Sequence, residues 1–164
     1  MIADVILMSI AFSGIVAGVI IGRHTYEELK SGEKYFILFK SLVLILLSVI
    51  FLLSIKRLSL HVLILFLLGF LIAHFLKYTY LFMGISAVVS IMTGNQLAFL
   101  PLIYLYGLPF GTIRYYHIRN HLKLFKILLV NFILFMLPLF LLFFDFDIYM
   151  LMAFSAGALI ANIR

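Results

Sequence analysis

Five histidines, six carboxylates and 12 Lys or Arg are the side chains that could carry acid–base, metal or charge chemistry, since the chain has no cysteine. Thiol catalysis, thiolate metal ligands, disulfides and Cys palmitoylation are therefore excluded. Glu27, Glu28 and Glu33 fall in one polar segment, Asp145 and Asp147 in another, and Asp4 near the start. No two carboxylates stand three or four apart within an apolar run, so a buried carboxylate metal site or proton relay has no material. His117 and His121 are four apart in "RYYHIRNHLK" and would share a face if that segment were helical. The spacing suits a metal, but a third ligand and a general base are missing nearby, and neither metal nor cofactor is expected. Arg114, His117, Arg119, His121 and Lys123 read instead as a basic surface contacting anionic lipid headgroups. His74, near the end of its apolar run, reads as a packed or interfacial residue. No Walker loop, dinucleotide fingerprint, nucleophile elbow or zinc-protease motif occurs, and a non-enzyme is expected in preference to an enzyme.

The other source of chemistry is the backbone. "GNQLAFLPLIYLYGLPFGTIR", Gly94–Arg114, holds Pro101 and Pro109, two of the three prolines, and no charge before its last residue. Proline lacks the N–H and displaces the carbonyl four residues earlier. The carbonyls of Leu97 and Leu105 are thereby freed, and lipid cannot satisfy them. With Ser86, Ser90, Thr93, Asn95, Gln96 and Thr112 they would form a neutral polar lining, and Gly/Pro-interrupted spans are where transporters bind their solutes. The plain alternative is a kinked packing helix without a ligand. Pro138 lacks polar neighbours and reads as a simple kink.

Membrane helices must position these groups. The chain is 66% hydrophobic and 11% charged, whereas a soluble fold carries about 25% charge. The reading is an all-α, polytopic integral membrane bundle, a single transmembrane domain over residues 1–164. Seven apolar runs lie between the charges, at about Ile2–Gly22, Phe36–Ile55, Leu60–Leu76, Tyr78–Thr93, Leu97–Thr112, Lys126–Phe144 and Ile148–Ile163. A run of about 16 residues covers about 24 Å of a core about 30 Å thick, so the fourth and fifth read as short helices or as one re-entrant hairpin over 78–112. The first run carries Asp4 where a signal peptide would carry Lys or Arg, and it reads as a retained span. Thr25 and Glu28 match a capping box, predicting a short surface helix that Gly32 stops.

Charge orients the runs. If all seven cross, one side holds Arg23, Lys30, Lys34, Lys40, Lys77, Arg114, Arg119, Lys123, Lys126 and Arg164, ten of the 12 Lys and Arg. The other holds Lys56 and Arg57 with Asp4, Asp145 and Asp147. The positive-inside rule then puts the N-terminus outside and the C-terminus in the cytoplasm. The formal net charge of +6 is thus accounted for by headgroups rather than nucleic acid, and none of the nucleic-acid modules has a counterpart here.

Small residues mark the packing faces. Gly14, Gly18 and Gly22, then Ser86, Ser90 and Gly94, then Ala153, Gly157 and Ala161 recur four apart. Spans one, four, five and seven are therefore placed inside, and two and six toward lipid. The Gly14/Gly18/Gly22 and Ala153/Gly157/Ala161 stripes could also join a homo- or hetero-oligomer. A faint repeat relates the first three runs to the last three: Gly18/Gly22 and Gly107/Gly111 each precede a charged loop, an "LFK" and a Leu/Phe-rich run. The leading functional expectation is a small transporter or channel for a neutral or anionic solute. The alternatives are a non-catalytic subunit or assembly factor of a larger membrane complex, and a lipid-headgroup binder or lipid-acting enzyme.

Overall fold

The structure, a computed structural model, describes residues 2–55, 59–118 and 120–163, the side chain of residue 30 excepted. Among the described residues seven α-helices run in order: α1 (Ile2–His24), α2 (Tyr26–Ser54), α3 (Leu60–Leu76), α4 (Thr79–Met92), α5 (Gln96–His117), α6 (His121–Met136) and α7 (Ile148–Ala161). A 3₁₀ segment, Leu137–Phe143, continues α6. Among the described residues there is no strand. Ile2–His24, Ser31–Ser54, Gln96–His117 and His121–Phe143 are long and apolar enough to cross a membrane. The remaining helices are apolar and shorter, α3 with 17 residues and α4 and α7 with 14 each. The protein is an all-α helical bundle embedded in a membrane.

Several local expectations are corrected. The first polar segment forms no separate surface helix, because α2 runs through Gly32 to Ser54. One glycine costs about 1 kcal/mol in a helix interior, which the apolar turns beyond it outweigh. Thr25 stands at the N-cap of α2 without a capping bond. Its hydroxyl donates back to Ile21 O at 3.0 Å, because a single residue separates α2 from α1. The fifth span is not short: α5 has 22 residues, about 33 Å, since "IRYYH" continues the helix past the apolar run. "RYYHIRNHLK" belongs to two helices, α5 ending at His117 and α6 starting at His121. Asn120 Oδ1 accepts from Leu122 N and Lys123 N at 3.0 and 3.2 Å and so starts a new helix, which takes His121 off the face of His117. At Pro138 the chain passes from α to 3₁₀ winding.

Glycines set the two tightest seams. On α1, Gly14, Gly18 and Gly22 lie against the backbones of Tyr104, Leu108 and Thr112 of α5. Gly107 and Gly111 of α5 lie in turn against Gly14, Ile15 and Val19. A side chain at any of the five would meet main chain, which cannot move aside. α3 meets α7 in the same way, Gly69 against Phe154 and Gly157 against Phe66 and Phe70. Gly14, Gly18, Gly22 and Gly157 are therefore occupied by contacts within the chain, while Ala153 and Ala161 are buried. α1·α5 and α3·α7, the closest pairs, are those that the faint repeat relates.

Nine of the 14 residues of α4 and eight of the 14 of α7 are buried, against three of 17 in α3. α4 and α7 form the centre with the inner faces of α1 and α5, and α6 and α3 are the most open to lipid. α2 presents Val43, Leu44, Leu47 and Phe51, the last stacked on Phe99 at 4.2 Å. α4 and α5 are two helices joined by a tight turn at Gly94, whose φ of +71° suits a residue without Cβ. They bring Lys77 and Arg114 back to one end of the bundle.

Candidate functional site: a basic cleft between α4, α5 and α6

At that end a cleft of about 440 Å³ opens between the start of α4, the last turns of α5 and one face of α6. Four cations line it: Lys77, Arg114, Lys123 and Lys126. No carboxylate among the described residues does. Among the described residues none of the four has an ion-pair partner; the pair near them is Glu33 with His117, at 2.9 Å.

Local structure fixes each group. Lys77 caps α3 in the left-handed region (φ 56°, ψ 18°), its N–H donating to Ala73 O at 3.0 Å. That turn leads into α4 within two residues. Tyr78, at the N-cap of α4, makes no side-chain capping bond. The first N–H groups of a helix have no internal acceptor and carry the positive end of its dipole. Tyr78, Thr79 and Tyr80 line the cleft, so this uncapped end adds to the four cations. Arg114 sits 5.2 Å from the centre of the Phe110 ring, a cation–π contact that holds the guanidinium at the wall. Lys123, Lys126, Ile127, Val130, Asn131 and Leu134 follow the three-and-four spacing of one helical face. The Asn120 cap sets where that face begins.

Tyr80 forms the back wall. It is 1% exposed, and its ring packs on Phe110, Phe12, Tyr106 and Phe135 with centroids 5.0 to 6.2 Å apart. Its hydroxyl is buried without a hydrogen-bond partner, and buried hydroxyls are nearly always paired. Neighbouring polar groups are engaged: Thr79 Oγ1 donates to Asn162 Oδ1 at 2.8 Å, and Asn131 Nδ2 to Ile127 O at 2.9 Å.

The residues expected to contact headgroups divide. Arg114 and Lys123 line the cleft; His117 turns to Glu33, and His121 is exposed outside the lining. Arg119 lies outside the described residues, as do Lys56, Arg57 and Arg164. Among the described residues no three His, Asp or Glu side chains gather as a metal site would require.

The residues expected to line a polar cavity are dispersed. Ser86 Oγ donates to Phe82 O at 2.9 Å, Ser90 Oγ to Ala87 O at 2.7 Å and Thr93 Oγ1 to Ser90 O at 3.2 Å, all within α4 and its end. Thr112 Oγ1 lies 2.9 Å from Gly18 O and 2.8 Å from Leu108 O, and does not reach the Leu105 carbonyl. Asn95 is exposed at the opposite end of the bundle. Gln96, Leu97 and Pro101 border an apolar groove with Leu7, Ile10 and Ala11 of α1. Leu105 packs at the core's edge, and Pro109 borders a groove with Phe36 and Phe39 of α2.

Lys77, Lys126, Tyr80 and Asn131 join the site only in the fold. The lysines were legible as topology charges, and the helical spacing from Lys123 to Leu134 was the signal that could have joined them. Comparison with known families, curated proteins and solved structures finds no match. What fold and site define is a class: a helical membrane protein with a basic cleft at one end, lined by four cations and, among the described residues, by no carboxylate.

Proposed function

We propose that the protein binds an anionic, phosphate-bearing group in the cleft formed by Lys77, Arg114, Lys123 and Lys126, with this end of the bundle at the cytoplasmic face. One observation carries the reading: four cations from three separate helix ends converge, with no carboxylate among the described residues to neutralise them. Such an arrangement is self-repulsive when empty, and basic pockets between membrane helices on the cytoplasmic side suit phosphate headgroups. The uncapped start of α4 supports the same chemistry, because helix N-termini favour phosphate. The positive-inside bias of the sequence supports the orientation. A transport path has no comparable support, since the hydroxyls that would line it bond to backbone within the bundle.

The test is direct. Purified protein in detergent is titrated with inorganic pyrophosphate and with a short-chain phosphatidic acid. At least one probe should be retained. Arg114→Gln with Lys126→Gln should weaken its retention by about tenfold or more and flatten its salt dependence. Retention of neither probe, or equal retention by the double variant, overturns the reading.

A further inference from the structure

Beneath the cations the same cleft changes character. Along α6 its face runs from Lys123 and Lys126 through Ile127 and Val130 to Leu134, about 16 Å of helix. The strip carries charge at the helix end and is mostly apolar further along, where Asn131, the one polar side chain on it, is turned to the backbone of Ile127. Val130 is 51% exposed, so the strip opens sideways to the region that acyl chains occupy. Tyr80 closes the cleft from behind, its hydroxyl buried within the wall. A water-soluble anion would use the cations and leave the apolar strip unused. An amphiphile would use both.

Resting on the cleft's reading as a phosphate site, we infer that its ligand is a membrane lipid with an anionic phosphate headgroup. The phosphate sits among Lys77, Arg114, Lys123 and Lys126 at the start of α4. One chain lies along Ile127, Val130 and Leu134. Four positive charges favour headgroups that carry more than a single negative charge.

The experiment separates this inference from the reading beneath it. Short-chain phosphatidic acid, phosphatidylcholine of equal chain length and inorganic pyrophosphate are titrated in turn, with bound species counted by native mass spectrometry. Phosphatidic acid should bind at least about tenfold more tightly than either control, since a charge-assisted hydrogen bond and chain burial each contribute. Val130→Trp fills the strip from its lipid side and should weaken phosphatidic acid several-fold while leaving pyrophosphate unchanged; because it replaces an exposed residue, its melting temperature serves as the check that the fold is kept. If pyrophosphate binds as well as phosphatidic acid, or Val130→Trp weakens neither, the ligand is a soluble anion and the lipid inference is overturned, while the basic cleft stands. If phosphatidylcholine equals phosphatidic acid, the cations are not engaged and both statements fail.

Discussion

Thr112 Oγ1 on α5 lies 2.9 Å from the carbonyl of Gly18 on α1 and 2.8 Å from Leu108 O of its own helix, so its one proton is shared between seam and helix where the two backbones touch. The contact across the seam exists because Gly18 has no side chain to hold the helices apart. A leucine at 18 would thrust its Cβ into the backbone of Leu108, and overpacking of this kind costs about 1–3 kcal/mol or more. Thr112→Val keeps the shape and loses the hydroxyl, at a cost of about 0.6 kcal/mol for a hydrogen bond between membrane helices. Denaturation in mixed detergent micelles should rank the two variants in that order. A Gly18→Leu protein as stable as the parent would mean that the α1–α5 seam is not formed.

Lys34 and Asp145 should label from opposite sides. Lys34 stands near the start of α2, beside the Glu33 that reaches His117 at the end of α5, whereas Asp145 follows the 3₁₀ segment at the far end of α6. The chain has no cysteine, so Lys34→Cys and Asp145→Cys each give one reactive site. In intact cells an impermeant maleimide should modify position 145 and spare position 34. The reverse pattern would turn the protein over and move the basic cleft outside.

Histidine is not part of the cleft. His117 is held by Glu33 at 2.9 Å, and His121 lies outside the lining. The two alanine variants, His117→Ala and His121→Ala, should therefore retain phosphatidic acid as the parent does. The exposed pair itself should contribute no more than about 0.5 kcal/mol to stability, read as a small shift in thermal melting. A large loss of lipid from either variant would restore the loop as the binding element.

The helices were legible because apolar runs and charges alternate plainly, and the interior helices because small residues at four-residue spacing allow backbones to touch. Gly14, Gly18 and Gly22 announced a seam; that its partner would be α5, through Gly107 and Gly111, needed the fold. Apolar length failed as a guide at α5, where Tyr115, Tyr116 and His117 prolong a helix whose hydrophobic run has ended. The cleft was least legible. It depends on the rotation of α6, which is fixed by Gly84 of α4 resting on the backbone of Phe135, and on Lys77 ending α3 in a left-handed turn. The prolines drew attention to α5, yet the cleft gathers at its last turns and at the ends of its neighbours.

Lys77 should trade stability against binding. It is the one residue other than glycine with positive φ among the described residues, at 56°. A left-handed conformation costs an L-residue about 1–2 kcal/mol relative to the right-handed one, and glycine is the usual occupant of this position after a helix. Nothing in the turn itself asks for lysine, since the N–H that bonds Ala73 O belongs to the backbone. Lys77→Gly should therefore keep the turn and raise stability by up to about 1 kcal/mol, less what the flexible glycine adds to the unfolded chain. The same change removes one of the four cations lining the cleft. Retention of phosphatidic acid should fall by about fivefold, the value of one basic residue near an anionic headgroup. Lys77→Asn separates the two effects: asparagine tolerates the left-handed turn but carries no charge, so binding should fall as with glycine while stability rises less. A variant that melts higher and binds as well as the parent would show that Lys77 merely borders the cleft. One that melts lower would show that the lysine side chain stabilises the turn itself.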